Sequence, residues 1–228
     1  MPKYISYRGS EGEGSGCWTI LGIAAVLLLI VGGFYWAIMQ TNQNRLKPIA
    51  YGIAFDVSQS MSEKERQRCI GVTNQLIDSV NAESIRVKVW RYAENLREVA
   101  DKMPQRSGEL LPIYQEKVLK AMGAWGTHPA LPMKEMLRYV QDPTNKDRQV
   151  VLWLMTDGED HSPRETRKLA EELAQQPGLV VLMVGPLKEQ YRLQIQRTLE
   201  PLEKNQKLIV FSENDAGDAL RKLKTHLK

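Results

Sequence analysis

The stretch Ile49-Ala50-Tyr51-Gly52-Ile53-Ala54-Phe55-Asp56-Val57-Ser58-Gln59-Ser60 opens as an apolar run and ends with one carboxylate and two hydroxyls at alternate positions. An apolar run bounded by polar turn residues reads as a buried strand over residues 49–57. In extended chain alternate residues face one side, so Asp56, Ser58 and Ser60 point together as the chain leaves the strand. A helical pattern follows at once, with Cys69, Val72, Leu76 and Val80 recurring at three- to four-residue spacing within residues 61–80.

Outward from there the alternation repeats. Residues 85–92, 150–155, 179–184 and 208–211 are short apolar runs, many of them β-branched, and residues 132–140, 163–174, 190–202 and 216–227 carry helical periodicity. Strands that take turns with helices pair in parallel, because parallel neighbours need a crossover and the crossover packs on the sheet face. The expected fold class is α/β: a doubly wound, mostly parallel sheet flanked by helices, spanning residues 48–228. Residues 97–103 read as an added antiparallel edge strand.

Ahead of this domain, residues 17–39 contain no charged side chain and include Leu27-Leu28-Leu29-Ile30. At about 1.5 Å per helical residue such a stretch crosses a ~30 Å hydrocarbon slab, and it exceeds the apolar core of a cleaved signal peptide. Trp18 and Phe34, Tyr35 and Trp36 suit its two interfaces. The sequence therefore predicts a single transmembrane helix over 17–39, a flexible glycine-bearing tail over 1–16 and a linker over 40–47. Lys3 and Arg8 before the helix favour a cytoplasmic N-terminus, which would put the C-terminal domain on the extracytoplasmic side.

The chain has 228 residues, enough for one sizeable domain with appendages, and its 43% hydrophobic and 25% charged content excludes wholesale disorder. The net charge of +4 is spread along the chain, so no nucleic-acid partner is expected. Two cysteines, Cys17 and Cys69, make neither a disulfide framework nor a thiolate metal site, and Cys69 reads as a buried thiol on its helix stripe. Phosphate-cradling glycine motifs and a GxSxG nucleophile elbow are absent from the sequence.

Ligands of open α/β sheets bind beyond the carboxyl ends of the strands. A second strand ends Leu154-Met155-Thr156-Asp157-Gly158-Glu159-Asp160, and a third loop brings Gly126-Thr127-His128-Pro129. Asp56, Ser58, Ser60, Thr127 and Asp157 together form an all-oxygen donor set, which selects Mg²⁺, with Mn²⁺ or Ca²⁺ as alternatives, over zinc and copper. Bland readings stand beside this one: Ser60 as the cap of the helix starting near Met61, Trp125 as a packed ring, Glu159 and Asp160 as turn caps, and His128 and His161 as rim residues.

The DxSxS of Asp56, Ser58 and Ser60, the Gly126-Thr127 segment ahead of Ala130-Leu131, and the Thr156-Asp157-Gly158 strand end resemble the metal-ion-dependent adhesion site of the von Willebrand factor type A domain family. The resemblance covers residues 48–228. One difference is Trp125-Gly126-Thr127-His128, where many relatives carry paired glycines before the threonine. The resemblance implies Ser58, Ser60 and Thr127 as hydroxyl ligands, with Asp56 and Asp157 binding directly or through water. It further implies a coordination position left for the Asp or Glu carboxylate of a protein partner, and hence adhesion-type recognition by a membrane-anchored, non-enzymatic protein. The alternative is a Mg²⁺-dependent phosphohydrolase or phosphotransfer enzyme using Asp56 or Asp157. Against it stand Ser58 in place of a second carboxylate and the missing phosphate cradle.

Overall fold

A computed structural model of the chain describes residues 28–33, 46–121, 123 and 125–227. The chain divides into two units, residues 1–45 and residues 46–228.

The first unit requires a correction. Among the described residues no helix is long and apolar enough to cross a membrane. Of the expected anchor over 17–39, the described part is the helical stretch 28–33, about 9 Å long at 1.5 Å per residue against a hydrocarbon core of ~30 Å. The rest of that anchor, the tail 1–16 and residues 40–45 of the linker lie outside the described residues. The expectations that depended on the anchor, a membrane partner through residues 17–39 and an extracytoplasmic placement, are withdrawn with it.

The second unit is a six-stranded sheet in the order β3-β2-β1-β4-β5-β6, with β1 Ile49–Asp56, β2 Ile85–Tyr92, β3 Leu96–Lys102, β4 Gln149–Met155, β5 Leu179–Val184 and β6 Leu208–Val210. Every pairing is parallel except β2 with β3, so the expected antiparallel strand does lie at the sheet edge. Central β1 is buried along its whole length, which is why its sequence is an apolar run rather than an alternation. Its alternate side chains still serve two cores. Tyr51, Ile53 and Phe55 face one cluster, while Ala50 and Ala54 face the other.

Helix α1, Glu63–Asp78, and α7, Ala216–His226, supply the first cluster with Cys69, Leu76 and Leu223. Helices α3, Ala130–Gln141, and α4, Pro163–Ala174, supply the second with Met133, Met136, Ala170 and Leu173. The helix expected over 190–202 is two helices, α5 Glu189–Thr198 and α6 Glu200–Lys204, because Pro201 lacks the N–H that would continue the first. Residues 107–119, unassigned from sequence, coil through a short 3₁₀ turn, α2 Leu111–Tyr114 and a π turn. Leu110, Tyr114 and Val118 are buried at four-residue spacing, with Tyr114 edge-on to Phe55 at 5.5 Å between ring centres.

At the carboxyl end of β1 the chain turns into α1. The cap is Ser62, not Ser60: Ser62 Oγ accepts from Glu65 N, and Glu65 Oε2 accepts from Ser62 N at 2.6 Å, a reciprocal capping box. Ser60 is thereby free for another role.

Candidate metal and partner site

The strand ends of β1 and β4 are neighbours in register, so Asp56 and Asp157 leave the sheet side by side. Asp56 is 1% exposed, with Oδ1 accepting from Ser58 N at 2.9 Å and Oδ2 accepting from the Thr156 hydroxyl at 3.0 Å. The Thr156 hydroxyl in turn accepts from Gly158 N, locking the turn that presents Asp157. Thr156, part of the Thr-Asp-Gly motif but not of the expected donor set, is thus the link between the two carboxylates. Burial raises the Asp56 carboxyl to about 6, against the lowering effect of hydrogen bonds from Ser58 and Thr156 and with a further push from Asp157.

The Ser58 and Ser60 hydroxyls lie 2.9 Å apart on the same side of the turn. Gly123 brings the third stretch against them. A Cβ there would sit 3.1 Å from Gln59 Cα, so the Thr127 loop packs directly on the backbone of the DxSxS turn. From the other side His161 pins Thr127: Thr127 N donates to His161 Nδ1 at 2.9 Å and His161 N donates to Thr127 O at 3.0 Å. With Nδ1 accepting, the neutral ring carries its proton on Nε2, which faces Glu159 Oε1 at 3.3 Å. His161 is exposed at the rim, as expected from sequence, and from there it also positions Thr127.

Thr127 itself is 0% exposed, and among the described residues its hydroxyl oxygen has no hydrogen-bond partner. A buried hydroxyl left unpaired costs free energy on the order of 1–3 kcal/mol unless something binds it. The donors present are two carboxylates and three hydroxyls, which fit a hard divalent ion. Among the described residues no group of three or more His, Cys, Asp or Glu side chains is placed to hold a metal. The metal-dependent function expected from sequence is corrected to that extent: no such cluster supports it among the described residues.

One cation is already at the site. Lys188, on the loop after β5, donates from Nζ to Asp157 Oδ2 at 2.8 Å and to Ser60 O at 2.9 Å, with Glu65 Oε1 at 3.7 Å. Partial burial opposes the Lys188 charge, but Asp157 and Glu65 outweigh it and hold the ammonium above its ordinary range. Lys188 was not among the site residues expected from sequence, although it follows the carboxyl end of β5, where ligands of open α/β sheets gather.

The rim differs from expectation at Trp125, which is 80% exposed rather than packed. His128 stands beside His161, with 5.8 Å between ring centres. Asp160 behaves as a turn cap, its Oδ1 accepting from Ser162 N at 2.7 Å, and Cys69 is buried as expected.

The chain matches the sequence model of the von Willebrand factor type A domain over residues 52–225. Curated proteins show no match to it. Among solved structures, proximal thread matrix protein 1 from the mussel byssus, with a zinc-occupied MIDAS motif, superposes with a TM-score of 0.56 at 15% identity over 78% of this chain and 47% of that one. The PilB minor pilin from Streptococcus sanguinis gives 0.58 at 11% identity over 81% of this chain and 62% of that one. A von Willebrand factor type A structure from Catenulispora acidiphila gives 0.57 at 16% identity over 79% and 42%. At such identities the likeness is one of fold, and this chain spans about half the length of the byssus protein. With the sequence match running through the sheet and all five site residues, the chain belongs to the von Willebrand factor type A domain family.

Proposed function

We propose that the domain recognises a protein partner through a divalent cation, Mg²⁺ in the first instance, held by Asp56, Ser58, Ser60, Thr127 and Asp157. The single observation that carries this reading is the Thr127 hydroxyl, fully buried and, among the described residues, unpartnered, on the loop whose Gly123 packs against the Ser58–Ser60 turn. When bound, the ion supplies attraction for a carboxylate that the partially neutralised site leaves unsatisfied. Asp56 and Asp157 provide its countercharge, while Ser58, Ser60 and Thr127 fix its position. His161 holds Thr127 in place, and the exposed Trp125 ring offers the partner an apolar contact of the kind that anchors interfaces. The output is binding without turnover. The zinc held by the byssus relative's MIDAS motif supports metal binding at family level and makes Zn²⁺ a necessary comparison.

Titration calorimetry of the chain with Mg²⁺, Mn²⁺ and Zn²⁺, beside Thr127→Val and Asp157→Ala, tests the ion. Pull-down with and without EDTA then tests the partner. Equal heats in all three proteins would exclude ligation, and partner capture indifferent to EDTA would exclude the bridge.

A further inference from the structure

We propose that the cleft at the carboxyl end of β2, beside the ion site, is a second binding site that takes acidic side chains of the same protein partner. Its choice of occupant rests on the reading of the neighbouring site as a dock for a protein carboxylate. The cleft holds about 370 Å³ and is walled by Val57, Ala93, Asn95, Arg91, Arg97 and Lys120.

Arg91 and Arg97 are directly opposed partners across the β2–β3 ladder. Like charges facing each other across strands destabilise a sheet. Deeper in the same hairpin the cations meet acids: Lys88 Nζ lies 3.1 Å from Glu98, and Arg86 pairs with Asp101 at 2.7 Å. At the rim that matching stops. Among the described residues, Arg91, Arg97 and Lys120 make no ion pair, and Glu94 at the hairpin tip makes none with them. Arg91 donates from one guanidinium nitrogen to Lys117 O at 2.6 Å, which braces the fork without neutralising it. A guanidinium presents paired donors that match a carboxylate, so two of them with an ammonium form a receptor for acidic side chains.

The occupant follows from position. Val57, a wall of the cleft, lies in the chain between Asp56 and Ser58, and the ends of β1 and β2 are paired neighbours, Asp56 opposite Tyr92, so the cleft and the ion site share one edge of the sheet. A partner segment that gives one carboxylate to the ion and carries another nearby places the second in the cleft. None of the lining residues is an aromatic ring on which a nucleobase would stack.

The test uses the full chain and a labelled octaglutamate peptide, with binding read by fluorescence anisotropy in EDTA so that the ion site plays no part. The expected result is saturable binding that added salt weakens, lost by roughly tenfold or more in the double variant Arg97→Glu, Lys120→Glu. The matched reversal of two exposed lysines elsewhere, Lys146→Glu with Lys224→Glu, retains wild-type binding. Arg97→Glu also places an acid opposite Arg91, so the variant melts no lower than wild type, which separates lost binding from lost folding. Equal binding by wild type and the Arg97, Lys120 double variant would overturn the proposal, as would no binding at low salt. Tighter binding of oligothymidylate or phosphatidylglycerol vesicles, removed by the same reversal, would overturn the protein occupant. If calorimetry shows no metal binding while octaglutamate binding persists in EDTA, the ion reading fails and the cleft stands.

Discussion

Lys188 Nζ donates to Asp157 Oδ2 at 2.8 Å, so one of the two carboxylates available to a metal already carries an intramolecular ion pair. Asp157 is 2% exposed at its side chain and Lys188 39% exposed, which places the ammonium at the mouth of the site. An ammonium and a divalent cation on one carboxylate repel each other, so the bridge opposes metal binding while compensating the buried charge in the metal-free protein.

Lys188→Met therefore binds Mg²⁺ and Mn²⁺ several-fold more tightly than wild type in calorimetry. In EDTA the same variant is less stable by about 1 kcal/mol, a modest figure because solvent screens the half-exposed lysine. Unchanged metal affinity would show that the ammonium does not compete.

Thr127→Val removes a hydroxyl that has no partner in the metal-free fold. Its stability in EDTA, measured by chemical denaturation, equals wild type or exceeds it by about 1 kcal/mol. Metal affinity drops at least roughly tenfold. A variant clearly less stable in EDTA would mean that the hydroxyl has a structural partner.

Glu65 ties pH to the start of α1. Partial burial acts to raise its carboxyl, and is outweighed by the hydrogen bonds from Ser62 and by the nearby Lys188, which leave it below its ordinary value. A lowered acid stabilises the fold above its unfolded-state pKa and ceases to do so as pH falls through the folded-state value. The stability gap between wild type and Glu65→Gln, under about 1 kcal/mol, is thus largest at neutral pH and closes in strong acid. A gap independent of pH would contradict the charge contribution.

Gly158 has φ +101°, and a Cβ there would lie 2.8 Å from Tyr191 Cβ. Gly158→Ala combines left-handed strain with a clash against α5, costing roughly 1–3 kcal/mol by urea denaturation. Because Gly158 N also holds the Thr156 hydroxyl, metal affinity falls with it. Wild-type stability would show that the turn relaxes freely.

The sheet was legible because β1, β4 and β5 are buried on both faces and their residues are apolar without interruption. The DxSxS, Gly-Thr and Thr-Asp-Gly segments were legible because each keeps its spacing within a single strand end or loop. The coil over 107–119 was not, since burial of Tyr114 has meaning only against Phe55. Trp125 was misjudged because a large ring is buried on average, and only its neighbours decide whether this one is. The anchor over 17–39 was inferred from uncharged apolar length and flanking aromatic rings, and the described helix over 28–33 does not supply that length.

What the sequence alone determined was local: the alternation of strand and helix, hence the fold family, and the donor chemistry at three loops. The tertiary structure decided which charges meet there. Lys188 is separated from Ser60 by 128 positions, and Arg91 opposes Arg97 only because β3 turns back along β2. Periodicity and motifs report what a residue does to its near neighbours, whereas electrostatic partners far apart in the chain are set by how the loops close over the sheet edge.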